Sequence, residues 1–356
     1  GCGVYTPGQV TGKNVDYISD KVKWVREMVA EYDPEANAIR TESGKLLSYD
    51  VLVVSAGLQL NYAAIDGLDE EMIGRSGIGS VYHSAEKARA TYEEVRRFLR
   101  TGGVGLFSRP ETRIKCPGAP LKAAFLTEDL ARKNSFREIF NFSYLTSQKK
   151  LFGLPKVNEL CLTRCREKGI TPRYEHTLTA LDADRKTAVF MSPEGLCKYT
   201  YDYLHVVPPM SAPETVRNSP ISWQSGKHAK GGWLEVDKFT LQHRRYANVF
   251  GVGDIIGTPI AKTGASVKYQ APVVADNIVS LLQNQDPRTH YNGYTSCPIA
   301  TSIGTVAVVE FDYTKKLTPT IPFLNLLNDE NGLGWQLKVY AIKPMYFQMI
   351  QGRVPA

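Results

Sequence analysis

The stretch from residue 104 to residue 207 constrains the fold most. Apolar strand-like runs at 104–107, 139–142 and 203–207 alternate with two helical patterns, one from Pro120 to about Lys133 and one bracketed by Pro155 and Gly169. Further strands are expected near Tyr174 and in "KTAVF". Regular alternation of strand and helix predicts a mainly parallel sheet with helices on both faces.

The flanks follow other patterns. Residues 22–54 read as a strand series, "VKWV", "EMVAEYDP", "NAIRTE" and "YDVLVVS", with turn signals at Asp33-Pro34 and Ser43-Gly44. The last run is continuously apolar, which predicts a strand buried on both faces. "SAEKARATYEEVRRFLR" has an N-cap at Ser84, an apolar stripe through Ala88, Tyr92, Val95 and Phe98 or Leu99, and a stop at Gly102-Gly103; it predicts a helix that crosses to a second domain. From "WLEV" the strand pattern returns, and one helix follows in "VVADNIVSLL".

With 356 residues, 43% of them hydrophobic, the chain can bury the cores of two domains. The formal charge of +7 is spread among acidic residues, so it leaves no nucleic-acid footprint while tolerating an anionic substrate or lipid. No apolar run reaches 18 residues, so no segment is expected to span a bilayer. The tail "WQLKVYAIKPMYFQMIQ" predicts an interfacial helix pair, broken at Pro344, that lies on a membrane surface. A C-terminal helix packed on the core is the alternative. The opening residues lack a start methionine and a signal-peptide core, so a longer parent chain is expected.

"TLQHRRYANVFGVGDIIG" carries the strongest chemical signal. A buried strand ending in Gly253-Asp254 brings a carboxylate out at the carboxyl end of a sheet, where doubly wound folds bind ligands. Asp254 can accept hydrogen bonds from ribityl or ribose hydroxyls. The segment Ser55-Ala56-Gly57 ends another apolar strand in small residues that let a cofactor pass close by. Lys262 lies eight residues beyond Asp254, within reach of a flavin's pyrimidine edge; an exposed lysine is the equal alternative. No G-x-G-x-x-G occurs, and the corner that should cradle a nicotinamide pyrophosphate reads "SRPETRIKCPGAP", which argues against NAD(P)H.

That corner holds Cys116, beside Lys115 and just ahead of a helix start expected at Pro120. Such a setting favours a thiolate, although a buried inert cysteine is the bland reading of a lone thiol. A second Cys-Pro corner, "NGYTSCP", contains Cys297. Only the fold can bring the two together, and if it did so beside a flavin they would form a redox dithiol. The six cysteines make no secreted disulfide framework and point to a reducing compartment. Cys161 and Cys165, four residues apart on one helix, lack further ligands for a metal and read as filler, as do Cys2 and Cys197; no metal site is expected. His205 lies inside an apolar strand and reads as a core residue.

Taken together, "YDVLVVSAGLQLNY", "IKCPGAP", "LHVVPPMSAPETV", "TLQHRRYANVFGVGD", "AKTGAS" and "YNGYTSCP" resemble the mitochondrial-type sulfide:quinone oxidoreductases, from about residue 15 to residue 313. The resemblance implies an α/β fold of two Rossmann-like dinucleotide-binding domains, glutathione-reductase-like, the first incomplete, with a C-terminal membrane-associating segment. The implied layout is a partial FAD-binding domain over 1–100, a second Rossmann-like domain carrying Cys116 over 101–229, a return to the FAD-binding domain over 230–290, and a C-terminal segment over 291–356. That last segment carries Cys297 and meets quinone and membrane.

The resemblance also implies a mechanism. Sulfide attacks a Cys116/Cys297 disulfide at Cys297 and leaves a persulfide there, while Cys116 departs as the thiolate that donates to the flavin. The sulfur passes to glutathione or sulfite and the electrons to ubiquinone. Ser55, Ala56, Gly57, Gly253, Asp254 and Lys262 carry over as contacts of FAD. The implied location is peripheral on the mitochondrial inner membrane. Two other readings stay open: a flavoprotein like the type II NADH:quinone dehydrogenases, and an inactive truncated homologue that acts as an interaction protein.

Overall fold

The computed structural model describes residues 2–134, 136–320, 327 and 332–353. Strands β1 (Val29–Asp33), β2 (Ala38–Thr41) and β3 (Leu46–Ser48) form an antiparallel meander. "VKWV" does not join it: the segment is irregular, Val22 and Trp24 are exposed, and Arg26 stacks 4.4 Å from the Trp24 ring. Lysines at 21 and 23 interleave with its apolar residues, and no strand lies beside it to pair.

Next come β4 (Leu52–Val54), β5 (Gln59–Leu60) and β6 (Ile78–Gly79), then helix α1 (Ala85–Thr101). The Ser84 side chain caps α1 by accepting from the Lys87 N–H. Gly102, at φ 74, ends it in a conformation that a side chain would resist. Strands and helices then alternate through β7 (Gly103–Arg109), α2 (Ala119–Asn134), β8 (Phe140–Thr146), α3 (Pro155–Glu167) and β9 (Ile170–Tyr174). An antiparallel sheet of β10 (Thr177–Asp182), β11 (Thr187–Ser192) and β12 (Gly195–Thr200) follows, and β13 (Tyr203–His205) returns to the parallel sheet.

The parallel sheet has the order β6-β13-β7-β8-β9. Its edge strand comes from residues 78–79, ahead of α1 in the chain. "KTAVF" belongs to the antiparallel sheet. Between the parallel sheet and α1, the Phe98 ring meets Phe140 and Phe142 edge-on and stacks near Tyr203. Each such ring, buried fully, contributes about 1.5–3 kcal/mol.

Strand β14 (Met210–Ser211) pairs with β5, and a short helix α4 (Glu214–Arg217) follows it. "WLEV" forms no strand; Leu234 makes only single bridges to Ser222 and Ile256, although Trp233, Leu234 and Val236 are buried. Strand β15 (Val249–Gly251) pairs in parallel with β4, and residues 241–243 bond its other edge through Gly251 N–H to Leu241 O and His243 N–H to Val249 O. The expectation that β4 is covered on both faces fails: Val54 is buried, but Val53, which points to the opposite face, is 42% exposed, so among the described residues only one face is packed over. Helix α5 (Gly264–Leu282) starts at a Thr263 cap.

Two hairpin-like pairs follow: β16 (Thr295–Ser296) with β19 (Glu310–Phe311), and β17 (Ile299–Ser302) with β18 (Thr305–Ala307). The chain ends in one continuous helix made of α6 (Gly332–Gln336), a π turn (Leu337–Ala341) and α7 (Ile342–Ile350). The break expected at Pro344 is absent. Proline offers no N–H to the preceding turn, and the π turn just ahead of it resets the backbone register instead. No helix among the described residues is long and apolar enough to cross a membrane.

Candidate active site

The loop after β7 places Cys116 in the left-handed region, at φ 45, a strained conformation for a side-chain-bearing residue. Three hydrogen bonds hold it there. The Cys116 N–H donates to Lys262 O (2.8 Å), the Ala119 N–H to Cys116 O (2.8 Å), and the Tyr82 hydroxyl to Cys116 O (3.2 Å). Cys297 lies between β16 and β17, buried, with its N–H on Val309 O (2.8 Å). The two thiols are hydrogen-bonded to each other, and neither Cys116 nor Cys297 is in a disulfide.

Gly118 sits against the pair. A Cβ there would stand 2.9 Å from Cys297 Sγ, too close for a real contact, and the Gly118 N–H is directed at the same sulfur. Lys122, in the first turns of α2, reaches back so that Nζ lies 3.1 Å from Cys116 Sγ. The hydrogen bond from Cys297 pulls the Cys116 thiol well below its ordinary range; burial opposes this, and Lys122 and Lys338 add to it. Cys297 is pushed the other way, by its hydrogen bond to Cys116 and then by burial. Burial acts to lower Lys122, but both sulfurs outweigh it and the ammonium is held charged.

This corrects the expected origin of the thiolate. Helix α2 starts at Ala119, whose amide is taken by Cys116 O; the amide that faces a sulfur is that of Gly118, on Cys297; and Lys115 forms a backbone bridge with Lys262 rather than a contact to the Cys116 sulfur. Lys122, Gly118 and Tyr82 were missed in the sequence. Lys122 was legible in principle, since "CPGAPLK" puts a cation one helical turn past a glycine corner.

The other candidates gather at the carboxyl ends of β4 and β15. The two strands run parallel in register, and the Val252 N–H donates to Val54 O (3.1 Å), so Ser55–Gly57 and Gly253–Asp254 emerge side by side. Gly57 (φ 70) has open space where a side chain would stand; Gly253 (φ 85) donates its N–H to Gln270 Oε1 at 2.9 Å. Burial raises the Asp254 carboxyl, while Lys262 and Lys115 hold it down. Lys262 is buried and folded onto its own chain: Nζ donates to the carbonyls of Asp254 and Ile256 and lies 3.7 Å from the centre of the Trp233 ring. Burial pulls its pKa down to about 7, against the pull of Asp254 and with help from Arg113. A lysine so placed can gain or lose a proton near neutral pH.

A cavity of about 380 Å³ opens beside Pro117, lined by Arg109, Arg113, Phe152, Lys262 and Lys315. Its charge is mostly positive. Cys161 and Cys165 are buried on α3, and burial pushes the Cys165 thiol up to about 12. His205 is fully buried and held neutral, its pKa pulled down to about 3 by burial.

The chain is 34% identical to the mitochondrial sulfide:quinone oxidoreductase of Dictyostelium discoideum over 354 residues, covering 99% of this chain and 76% of that protein. It is 38% identical to the Mus musculus protein of the same name, over 86% of this chain and 66% of the relative, and 31% identical to that of Schizosaccharomyces pombe, over 84% and 64%. No family model matches. Among solved structures, a chain in the cryo-EM structure of the Tetrahymena thermophila mitochondrial ATP synthase superposes with a TM-score of 0.85 at 19% identity, over 99% of this chain and 85% of that one. The Aquifex aeolicus sulfide:quinone oxidoreductase superposes with a TM-score of 0.74 at 18% identity, over 93% and 76%. At these identities the likeness is one of fold.

Proposed function

The chain belongs to the mitochondrial sulfide:quinone oxidoreductase family, a family of enzymes, and from that membership we propose that it oxidises hydrogen sulfide through a Cys116/Cys297 redox disulfide and delivers the electrons to ubiquinone. The observation that carries this reading is the hydrogen-bonded thiol pair with the Lys122 ammonium on one of its two sulfurs.

In the oxidised pair, hydrosulfide attacks Cys297 Sγ. The bond between the cysteine sulfurs breaks, a persulfide forms on Cys297, and Cys116 departs as a thiolate with the electron pair of the broken bond. The direction follows from leaving-group stability, since the lower-pKa thiol leaves faster. An acceptor nucleophile, glutathione thiolate or sulfite, then takes the terminal sulfur and returns Cys297 as a thiolate. The basic lining of the cavity beside Pro117 suits such anions.

FAD supplies the two-electron relay between dithiol and quinone. The residues that would hold it are Ser55, Ala56, Gly57, Gly253, Asp254 and Lys262. Open space at Gly57, a carboxylate at a strand end and a proton-exchanging lysine fit the demands of a flavin's sugar-like chain and ring edge. The 356 residues contain no G-x-G-x-x-G pyrophosphate loop, so the first dinucleotide domain is read as partial. Residues 332–353 are read as the membrane-facing segment. Leu333, Leu337, Tyr340, Ile342, Met345, Tyr346 and Ile350 are exposed on one helix, as a peripheral location on the mitochondrial inner membrane requires.

Reconstitution with FAD under anaerobic conditions tests the reading. Sulfide should bleach the flavin and NADH should not. Bleaching by NADH alone favours a type II NADH dehydrogenase, and a chain that takes up no FAD favours an interaction protein.

A further inference from the structure

The C-terminal helix changes period where it crosses the hairpin that follows Cys297. Its buried residues are Gly334 and Val339, five apart, which is the spacing of a π turn rather than of an α-helix. Gly334 lies directly on β18, where a Cβ would stand 2.8 Å from Val306 O. The Val339 carbonyl accepts from the Tyr5 hydroxyl, Lys343 lies 4.8 Å from the centre of the Tyr5 ring, and Phe347 stacks on Tyr17 at 5.8 Å. The helix is thus seated on the hairpin that follows Cys297 and strapped by the N-terminal segment.

Lys338 is the residue just before Val339 and one α-helical turn after Gly334, so the π turn brings it to the seated side. It is half-buried. Burial and then Lys122 on α2 lower its pKa, while Cys116 on its loop, Cys297 before β17 and Cys2 on the N-terminal segment raise it. Tyr82, which faces the same two sulfurs, is kept protonated by burial and their charge. Lys122 and Lys338 therefore approach the pair from two different elements, with no carboxylate among the groups that act on either.

We propose that Lys338, presented by the π turn, is a positioning residue that supplies a second cation over the Cys116/Cys297 pair, so that the seating of the C-terminal helix governs how readily anionic sulfur forms there. Two like charges at one site repel, and both persist only where anionic sulfur compensates them. This rests on the reading of the two cysteines as a reactive dithiol. Helix displacement would withdraw one cation and leave the other.

The test is the pH dependence of Cys116 alkylation by iodoacetamide in the reduced full chain, followed by peptide mass spectrometry. In Lys338→Met the midpoint should rise by about half a pH unit, about a threefold loss of thiolate below the midpoint. Lys338→Arg should keep the original midpoint, and Lys343→Met, one turn further along the same helix, should leave it unmoved. An unchanged midpoint in Lys338→Met with native circular dichroism would overturn the proposal. So would an equal shift in Lys338→Arg or Lys343→Met, because the effect would then belong to helix packing rather than to charge. Failure of the underlying dithiol reading has a different signature: the unmodified chain would alkylate with an ordinary thiol midpoint of about 8.5.

Discussion

The Nζ of Lys122 lies 3.1 Å from Cys116 Sγ, while the neighbouring Cys297 sulfur faces the amide of Gly118. An ammonium stabilises a thiolate more than a single peptide N–H does, so Lys122 adds to the pull of Cys297 in making Cys116 the thiolate that leaves when the disulfide is attacked at Cys297. Lys122→Met should slow iodoacetamide alkylation of Cys116 at pH 6.5 by at least about tenfold, the equivalent of one pH unit in its thiol. Alkylation at pH 10, where both variants are ionised, should differ little.

Gly118→Ala adds a methyl group 2.9 Å from Cys297 Sγ. Gly118 has an ordinary backbone conformation, so the cost is steric and falls on the sulfur. Overpacking of this kind costs about 1–3 kcal/mol. Urea denaturation should report that loss, and thiol titration after mild oxidation should find Cys116 and Cys297 bridging more slowly than in the parent chain.

Lys262 gives stability a pH signature. Its pKa is about 7 when folded, against an ordinary 10.4, so between those values the unfolded chain binds more protons. Stability contributed at this position therefore rises from pH 7 to about 10 and is lost as the pH falls back through 7. Compared with Lys262→Met at the same pH values, the parent chain should gain up to about 1.4 kcal/mol per pH unit across that window in urea melts.

Tyr340, Ile342 and Tyr346 are exposed on the C-terminal helix, where Lys343 adds positive charge. Co-sedimentation with vesicles containing anionic lipid should fall several-fold in the double variant Ile342→Asp/Tyr346→Asp, while folding remains intact. Equal sedimentation of the two proteins would remove the helix from membrane contact.

Local rules made parts of this architecture legible. Ser84 and Gly102 bracket α1 through their own backbone chemistry, and the apolar runs that became β7, β8 and β13 needed only each other as partners. Elements that depend on distant neighbours were misread. "WLEV" is buried without a strand on either side, β4 is packed over on one face instead of two, and Pro344 is accommodated by a π turn whose register follows from packing on β18. The site divided in the same way. Cys116, Cys297 and Asp254 stand out by residue type next to glycine and proline corners. Lys122 is marked only by its place one turn past the Gly118 corner, and Lys338 is an ordinary helical lysine that no spacing rule marks.

The most direct test of the central claim is where sulfur lands. The chain would be oxidised to the Cys116–Cys297 disulfide, given one equivalent of sulfide without oxygen, trapped with an alkylating agent and analysed by peptide mass spectrometry. The account predicts one added sulfur atom on the Cys297 peptide and a plain alkylated thiol on Cys116. Added sulfur on Cys116, or failure of the two cysteines to form a disulfide at all, would contradict it.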